Sequence, residues 1–288
     1  MHDSVGLIVE GGGMRGAYAA GILEAFLENE LSFPYAIGVS AGANTLCSYL
    51  SKQKGRNERL YTKWVTDKRF IGVKNFFKEG GYFGMDFLFD DLPNHLDPFD
   101  FETFKQTNTL FKVGVTHCES GQTHYFKPTT TSCAKDTNRI LRASSSLPFI
   151  SKIVEINGQH YLDGGLSNSI PIQESMNDGN TKNVIVLTRN ANYRKHYSKH
   201  MHRLAKAYSR KYPHITQCIA NRYKHYNQTL ERIDQLEQEG SVFLLRPELP
   251  LAVDRFEKDT DKLKLLFEQG YNQATSALPT LKSWLQTS

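Results

Sequence analysis

The chain has 288 residues, of which 39% are hydrophobic and 23% charged, and its formal net charge is +5. This length allows one large domain with a substantial core, and no apolar run approaches the roughly 20 residues of a transmembrane helix. The cysteines are scattered and form no C-x-x-C pair, which argues against a zinc site or a disulfide framework. They are Cys47, Cys118, Cys133 and Cys218.

A glycine-rich loop joins the first predicted strand to the first predicted helix. Residues 5–10 are apolar and partly β-branched, which predicts a short buried strand, and the pattern over 17–28 predicts a helix. The loop between them is Gly11-Gly12-Gly13-Met14-Arg15-Gly16. Its successive N–H groups could stabilise an oxyanion or cradle a nucleotide phosphate. Arg15 adds a permanent charge that could pair with a substrate phosphate or with a structural carboxylate such as Glu10.

A serine occupies the turn of the second strand–turn–helix unit. Residues 35–37 predict a strand and 43–50 a helix, and Gly38-Val39-Ser40-Ala41-Gly42 between them has the G-x-S-x-G pattern of a nucleophile elbow. Gly38 and Gly42 leave room for a strained turn that a Cβ would obstruct. The turn places the Ser40 hydroxyl near the free N–H groups of the next helix, which favours a serine nucleophile over a nucleotide site.

Strands and helices continue to alternate along the chain, which favours a mainly parallel sheet with helices on both faces. The aromatic stretch 70–104 is interrupted by Gly and Pro and predicts short helical pieces and loops. The other predicted elements are a helix over 57–65, a hairpin of 109–115 with 123–126, a helix over 138–146, a hairpin of 153–156 with 159–162 across Asn157-Gly158, a helix over 171–176 and a strand over 183–188.

The second hairpin leads into an acidic residue beside two glycines, Asp163-Gly164-Gly165. The hairpin places Asp163 at the end of a strand, and the glycines allow another part of the backbone to approach closely. In isolation an ordinary Asp-Gly turn would be the favoured interpretation of the motif. Its importance depends on the two motifs that precede it.

Taken together, the three motifs resemble the patatin-like phospholipase family, which carries G-G-G-x-R-G, G-x-S-x-G and D-G-[AG] in this order. The resemblance covers residues 5 to about 190, and residues 143–148 also resemble a segment that the family carries before the aspartate. It implies a three-layer α/β fold, a dyad of Ser40 as nucleophile and Asp163 as proton acceptor, and an oxyanion hole within the glycine loop of residues 11–16. It also places the aromatic stretch 70–104 at the wall or cap of an acyl pocket.

The implied reaction is acyl transfer to water. Ser40 attacks an ester carbonyl, and Asp163 accepts its proton directly or through a water. A carboxylate of ordinary pKa is a weak base at neutral pH. Partial burial of Asp163, or strain at the elbow together with the oxyanion hole, must therefore contribute. The predicted oxyanion donors are the N–H groups of Gly12, Gly13 and either Met14 or Ala41.

A histidine base, as in an ordinary triad, is the alternative to the dyad. His160 lies three residues before Asp163, so in a continuous strand its side chain points to the opposite face. His117 and His124 lie near the first hairpin. These positions favour structural or surface roles for the histidines.

The positive charge is concentrated in one stretch. Residues 179–230 contain 11 Lys or Arg and no Asp or Glu, whereas the rest of the chain has 24 basic and 30 acidic residues. A solvated helical face is the favoured interpretation of this stretch. A basic face with tyrosines also suits peripheral contact with an anionic membrane, and nucleic-acid binding is the least favoured interpretation. The tyrosines are Tyr193, Tyr197, Tyr208, Tyr212, Tyr223 and Tyr226.

Residues 191–288 predict a largely helical extension packed on a catalytic domain of residues 5–190. Apolar residues at spacings of three and four over 219–236 and 263–271 predict helices. Val242-Phe243-Leu244-Leu245 predicts a strand that could join the sheet edge.

The sequence therefore predicts a serine lipid acyl hydrolase of the phospholipase A or lysophospholipase type, acting on phospholipid or other fatty-acyl esters. No cofactor or metal is expected, because no cluster of His and Asp has ligand spacing. The alternatives are a thioesterase or transacylase on the same dyad and a non-catalytic regulatory protein with a basic surface. The N-terminus lacks a basic region followed by a long apolar run, so the expected location is the cytoplasm.

Overall fold

The computed structural model describes residues 5–131 and 133–286 and is built on one sheet of eight strands. The strands are β1 (Val5–Val9), β2 (Tyr35–Val39), β3 (Leu110–His117), β4 (Thr123–Phe126), β5 (Val154–Ile156), β6 (Gln159–Asp163), β7 (Lys182–Val186) and β8 (Val242–Leu245). The α-helices are α1 (Gly16–Glu28), α2 (Ala41–Leu50), α3 (Arg56–Thr62), α4 (Val73–Glu79), α5 (Phe101–Lys105), α6 (Ala134–Ser144), α7 (Ile172–Asn177), α8 (Lys199–Ala205), α9 (Pro213–Gln238) and α10 (Thr260–Gln286).

The sheet is mainly parallel, as predicted. Strands β3, β2, β1, β7 and β8 are neighbours in that order and run parallel. The antiparallel strands lie at the other side, where β4 and β6 both pair with β3, and β5 pairs with β6. Asn157 and Gly158 connect β5 to β6 with φ values of 53° and 75°, which are the positive values that an Asn-Gly type I′ turn requires. Strand β8 joins the sheet edge beside β7, so that prediction is confirmed.

Helices cover both faces of the sheet. Because side chains alternate along a strand, Leu7 and Val9 of β1 point to one face and Ile8 to the other. Leu7 and Val9 belong to the core formed with α1, α2 and α10, whereas Ile8 packs in a second core with α7 and α9. The three-layer α/β fold is therefore confirmed.

The predicted boundaries are wrong at two helices. The helix predicted over 138–146 begins at Ala134, because its first turn is polar and carries no apolar period. The helix predicted over 57–65 ends at Thr62 and is followed by a 3₁₀ turn, Trp64–Thr66. The aromatic stretch does consist of short pieces: α4, the π-helical segment Phe87–Leu96, and α5.

Helix α10 packs directly on α1. A Cβ on Gly21 would lie 1.9 Å from the Phe267 carbonyl oxygen, and one on Gly270 would lie 2.0 Å from the Tyr18 carbonyl oxygen. Glycine at both positions thus lets the two helix backbones touch. Within the residues that the model describes, no helix has both the length and the hydrophobicity to cross a bilayer.

Candidate active site

Ser40 lies at a strained turn between β2 and α2. Its backbone has φ 54° and ψ −127°, a conformation that is costly for a residue with a side chain. The two flanking glycines are required by close backbone contacts. A Cβ on Gly42 would lie 2.4 Å from the Val9 carbonyl oxygen, and one on Gly38 would lie 2.8 Å from the Ala43 nitrogen. The turn therefore has the geometry of a nucleophile elbow.

The last residue of α6 and the residue after it hold the elbow in place. The Ser40 N–H donates to the Ser144 hydroxyl at 2.8 Å, and this hydroxyl donates to the Gly114 carbonyl of β3 at 2.7 Å. The Asn44 side-chain amide donates to the Ser145 hydroxyl at 3.0 Å. These bonds tie the turn to the sheet through side chains within residues 143–148.

The glycine loop lies against the elbow. A Cβ on Gly11 would lie 2.8 Å from the Val39 carbonyl oxygen and 3.0 Å from the Ser40 Cβ. A Cβ on Gly12 would lie 2.8 Å from the Thr188 hydroxyl, and Gly13 has a positive φ of 59°. This proximity brings the loop backbone to the serine.

Two N–H groups of the loop already have acceptors. The Met14 N–H donates to the Arg255 carbonyl at 3.2 Å, and the Gly16 N–H donates to carbonyls within the loop. A Cβ on Gly16 would lie 2.4 Å from the Tyr61 hydroxyl, so this glycine serves packing. Ala41 is the first residue of α2, where N–H groups have no acceptor within the helix.

Asp163 ends β6 and lies buried beside the elbow. Its N–H donates to the Ser146 carbonyl at 2.8 Å, and its carbonyl accepts from the Thr116 hydroxyl at 2.8 Å. The carboxylate Oδ1 accepts from the Gly165 N–H at 2.7 Å, while Oδ2 is buried without a hydrogen-bond partner among the described residues. A Cβ on Gly164 would lie 2.2 Å from a carbonyl oxygen of β3, so this position must be glycine.

Burial makes Asp163 a stronger base than an ordinary aspartate. The side chain is 2% exposed, and loss of hydration raises the pKa of its carboxyl. The Ser40 hydroxyl, the Gly165 N–H, and the charges of Arg222 and Arg255 oppose this rise. The Ser40 hydroxyl is thus a neighbour of the Asp163 carboxylate, whose Oδ2 is buried and has no hydrogen-bond partner among the described residues.

The histidines near the two hairpins have other partners. His160 and His117 each contact Glu119, at 2.8 and 2.9 Å, and His124 lies 3.3 Å from the Tyr161 hydroxyl. None of these three rings lines the cavity at Ser40. Cys47 does line it, but burial raises the pKa of this thiol to about 12, so the thiolate is scarce at neutral pH.

A largely apolar cavity opens at Ser40. It has a volume of about 990 Å³, including its open mouth, and the backbone of Gly13 and Ala41 borders it beside the serine. The aromatic stretch 70–104 supplies a large part of its wall, as does α3. The wall residues of these two segments are Arg56, Leu60, Tyr61, Phe70, Phe83, Met85, Leu88, Phe89, Leu92, Pro93 and Phe99.

Three basic residues beyond position 190 reach the site, and the sequence motifs did not identify them. Arg222 of α9 donates to the Gly165 carbonyl at 2.5 Å. Arg255 lies against Gly13, because a Cβ built on that glycine would lie 2.7 Å from the Arg255 Cγ. Lys195 lies 3.5 Å from the Ser169 hydroxyl. The charge excess in residues 179–230 was the sequence signal for two of them, whereas Arg255 lies outside that stretch.

Arg15 faces this basic group, with its side chain buried. Its Nε is buried and has no hydrogen-bond partner among the described residues. Glu10 acts on Arg15 electrostatically, but the Glu10 carboxylate already accepts from Thr188 and from the Tyr226 hydroxyl, the latter at 2.7 Å. Tyr226 and Tyr212 are buried, so the prediction that they face a membrane is wrong: both complete the protein core.

Two family models match the sequence. A model of the patatin-like phospholipase family matches residues 7–176, and a model of a domain of unknown function (DUF6363) matches residues 212–286. The second match covers α9, β8 and α10, the elements that surround Arg222 and Arg255.

Curated relatives and a solved structure show the same similarity. The uncharacterized protein YjjU of Escherichia coli (strain K12) is 28% identical over 189 residues, which cover 64% of this chain and 52% of that protein. The probable lipid hydrolase 463L of Invertebrate iridescent virus 6 is 27% identical over 192 residues, which cover 62% of this chain and 65% of that protein. The match thus spans between half and two thirds of each relative. The crystal structure of VipD from Legionella pneumophila shares the fold, with a TM-score of 0.51 at 12% identity over 97% of this chain and 67% of that one.

Proposed function

The chain belongs to the patatin-like phospholipase family, and from that premise we propose that it is a serine lipid acyl hydrolase of the phospholipase A or lysophospholipase type. One observation carries the proposal: Ser40, at the strained elbow, lies at an apolar cavity of about 990 Å³ and interacts with the buried carboxylate of Asp163. A nucleophile, a base and a binding site for an alkyl chain therefore meet at one point.

In the first half-reaction, Ser40 Oγ attacks the ester carbonyl and its proton passes to Asp163 Oδ2. This oxygen is the one without a hydrogen bond, so it is available as the acceptor. The tetrahedral intermediate then releases the alcohol, which takes the proton from Asp163, and the acyl group stays on Ser40. In the second half, water attacks the acyl-enzyme while Asp163 accepts its proton. The bond to Ser40 Oγ then breaks, Asp163 returns the proton to that oxygen, and the fatty acid leaves.

The proposed oxyanion donors are the N–H groups of Gly12, Gly13 and Ala41. Of the two alternatives raised by the sequence, Ala41 is favoured over Met14, because the Met14 N–H already donates to Arg255. Gly13 and Ala41 both border the cavity at Ser40. Such fixed donors are worth about 10²- to 10³-fold in rate each.

The proposal is tested by hydrolysis of p-nitrophenyl esters by the wild type, Ser40→Ala and Asp163→Asn. Both variants should lose about 10³-fold or more in kcat/KM, because each removes a group that acts in the transition state. Ser209→Ala and Asp261→Asn, at exposed residues that do not line the cavity, are the matched controls and should keep wild-type rates. An active, folded Ser40→Ala protein would refute the serine mechanism, and an active Asp163→Asn protein would move the role of base to another residue.

We also propose that the protein contacts anionic membranes through the face that carries α4 and α8. Helix α4 exposes Val73, Phe76 and Phe77 at 63%, 51% and 86%, a cluster of apolar side chains that suits insertion between lipids. The turn after the basic helix α8 and the loop after α4 both bond residues 149–150: the Phe149 N–H donates to the Tyr208 hydroxyl, and the Tyr82 N–H donates to the Ile150 carbonyl.

Sedimentation with phosphatidylserine vesicles tests this contact. Phe77→Ser should reduce the bound fraction severalfold, since it removes the most exposed aromatic side chain. Leu265→Ser, at a leucine of α10 that is 65% exposed, should bind like the wild type. Equal loss in both variants, or none in either, would contradict the proposed surface.

A further inference from the structure

Five basic side chains gather around the glycine loop and the Asp163 loop. They come from four separate parts of the chain and influence one another electrostatically: Arg15 and Arg189 form one interacting pair, while Lys195 and Arg255 both interact with Arg15 and Arg222. None of the five lines the apolar cavity. We call Arg15, Arg189, Lys195, Arg222 and Arg255 the basic cluster.

The basic cluster has little negative charge to balance it. The carboxylates that act on Arg15, Lys195 and Arg255 are those of Glu10 and Asp163. Glu10 already accepts three hydrogen bonds, from the N–H and hydroxyl of Thr188 and from a buried tyrosine. Like charges held together in a partly dry site repel one another, and a bound anion would relieve that repulsion.

Burial, and after it mutual repulsion, disfavours the charged forms of two of these groups. Burial and the neighbouring arginines hold the pKa of the Lys195 ammonium well below its usual value. Burial, followed by the charges of Arg222 and Arg15, lowers the pKa of Arg255 to about 10. The protein therefore holds these groups in an environment that disfavours their own charged form.

The side chains of the cluster are held by groups that leave N–H donors free. Lys195 Nζ lies 3.3 Å from the centre of the Tyr226 ring, and the Arg189 guanidinium lies 4.3 Å from that of Tyr193. Arg222 uses Nε to bond the Gly165 carbonyl. Arg15 is only 7% exposed, and its Nε is buried with no partner in the described part of the chain.

A small depression lies next to these donors. Gly165, Ser169, Arg222 and Tyr226 are among the residues that line it. Arg255, Arg222 and Lys195 are partly exposed, so a solute can reach them. The cluster is thus partly open to solvent and adjoins the loop that follows Asp163.

We propose that the basic cluster binds a phosphate-type oxyanion, carried by the leaving-group side of the substrate. Gly13 supports this placement, because it borders the apolar cavity and also lies against Arg255. An ester bound at Ser40 can then extend its acyl chain into the cavity and its phosphate toward the cluster, where guanidinium groups bind phosphate well. The inference rests on the proposed hydrolase function for its substrate, but binding of the anion is independent of catalysis.

Direct binding is the first arm of the test. Inorganic phosphate and glycerol 3-phosphate are titrated into the Ser40→Ala protein by calorimetry at constant ionic strength. The variants Arg222→Gln and Arg255→Gln, made in the same background, should bind at least about tenfold more weakly, since each loses charge-assisted donors. Lys224→Gln, an exposed position two residues further along α9, is the matched control and should keep full affinity. Thermal melting confirms that each variant is folded.

Kinetics form the second arm and identify the source of the phosphate. The wild type should hydrolyse 1-acylglycerol 3-phosphate about tenfold or more faster, in kcat/KM, than the uncharged 1-acylglycerol of equal chain length. Arg255→Gln should abolish most of that ratio, and Arg255→Lys should restore part of it. If phosphate binds the wild-type cluster but the two esters react equally, the ligand is free phosphate and the headgroup assignment is wrong.

The two arms separate the failure of this inference from the failure of the hydrolase function. If no ester is hydrolysed but phosphate binds in a way that depends on Arg222 and Arg255, the function fails and the anion site stands. If neutral esters are hydrolysed while phosphate neither binds nor confers a preference, the site is overturned and the hydrolase remains. Equal weakening by Lys224→Gln would also overturn it, because the effect would then be one of net charge.

Discussion

Basic side chains are paired with carboxylates to different extents in two regions near Ser40, the apolar cavity and the basic cluster. In the wall of the apolar cavity, Arg56 lies 3.8 Å from the Asp97 carboxylate, which also accepts from Arg59 at 2.8 Å. On the other side, the basic cluster has five basic groups that share Glu10 and Asp163. A charge that borders the cavity is neutralised within the protein, whereas the cluster keeps an excess. The apolar cavity and the basic cluster are therefore suited to opposite ends of one amphipathic substrate.

The elbow and the glycine loop form the boundary between these two regions. Glycines allow close contacts in both segments. Gly42 lies against the backbone of β1, and Gly13 lies against Arg255. Ser40, the proposed nucleophile, borders the apolar cavity, and the glycine loop beside it also contacts Arg255 of the basic cluster.

Of three changes near Ser40, a larger residue at Gly42 should lower kcat/KM most. A Cβ at position 42 would lie 2.4 Å from the Val9 carbonyl oxygen, and neither backbone segment can yield cheaply. Gly42→Ala should therefore displace Ser40 and lower kcat/KM for p-nitrophenyl butyrate by about 10²-fold or more. Gly72→Ala is the control, because its nearest neighbour would be 3.9 Å away. Near-normal activity of Gly42→Ala would show that the elbow is not held as described.

A smaller effect should follow from filling the cavity. Each methylene of the acyl chain that enters it can add up to about fourfold to kcat/KM, from about 0.8 kcal/mol per buried CH₂. Leu60→Trp, at a cavity-wall position, should reduce the preference for octanoate over butyrate esters by about tenfold and spare butyrate. Leu265→Trp, at an exposed leucine of α10, should leave the preference for octanoate intact. If both esters respond equally, the acyl chain does not occupy this cavity.

The smallest expected effect links the basic cluster to the base. Asp163 must be ionised to accept a proton, and burial raises its pKa, so activity is lost as the pH falls through that raised value. The Arg222 charge lowers the same pKa. In Arg222→Gln the acid limb of the kcat/KM profile should move to higher pH, while Lys224→Gln should leave it unmoved. A shift to lower pH would mean that another group controls that limb.

The parts of the site that local sequence encodes were predictable. A strand, a glycine turn and a helix bring Ser40 and the oxyanion loop together by chain geometry alone, and the Asn157-Gly158 hairpin delivers Asp163 to a strand end. Residues 70–104 were expected at the wall of an acyl pocket, and they do line the cavity. These predictions depended on contacts within or between adjacent elements.

The basic cluster was not predictable, because it depends on contacts between distant segments. The charge excess in residues 179–230 pointed to a basic surface, yet Lys195 and Arg222 contact the loop that follows Asp163 instead. Arg255 reaches Gly13 from a loop before α10, where no motif marks it. The close packing of α10 on α1 through Gly21 and Gly270 was equally invisible, since it depends on two glycines far apart in the chain.

The most direct test of the central claim is covalent labelling by alkyl fluorophosphonates of short and long chain, followed by mass spectrometry of the peptides. One adduct per protein is expected on Ser40, formed faster by the long-chain reagent and at least about 10²-fold slower in Asp163→Asn. Labelling at another residue, or of Ser40 at a rate that depends neither on chain length nor on Asp163, would contradict a Ser40–Asp163 hydrolase that opens on an acyl cavity.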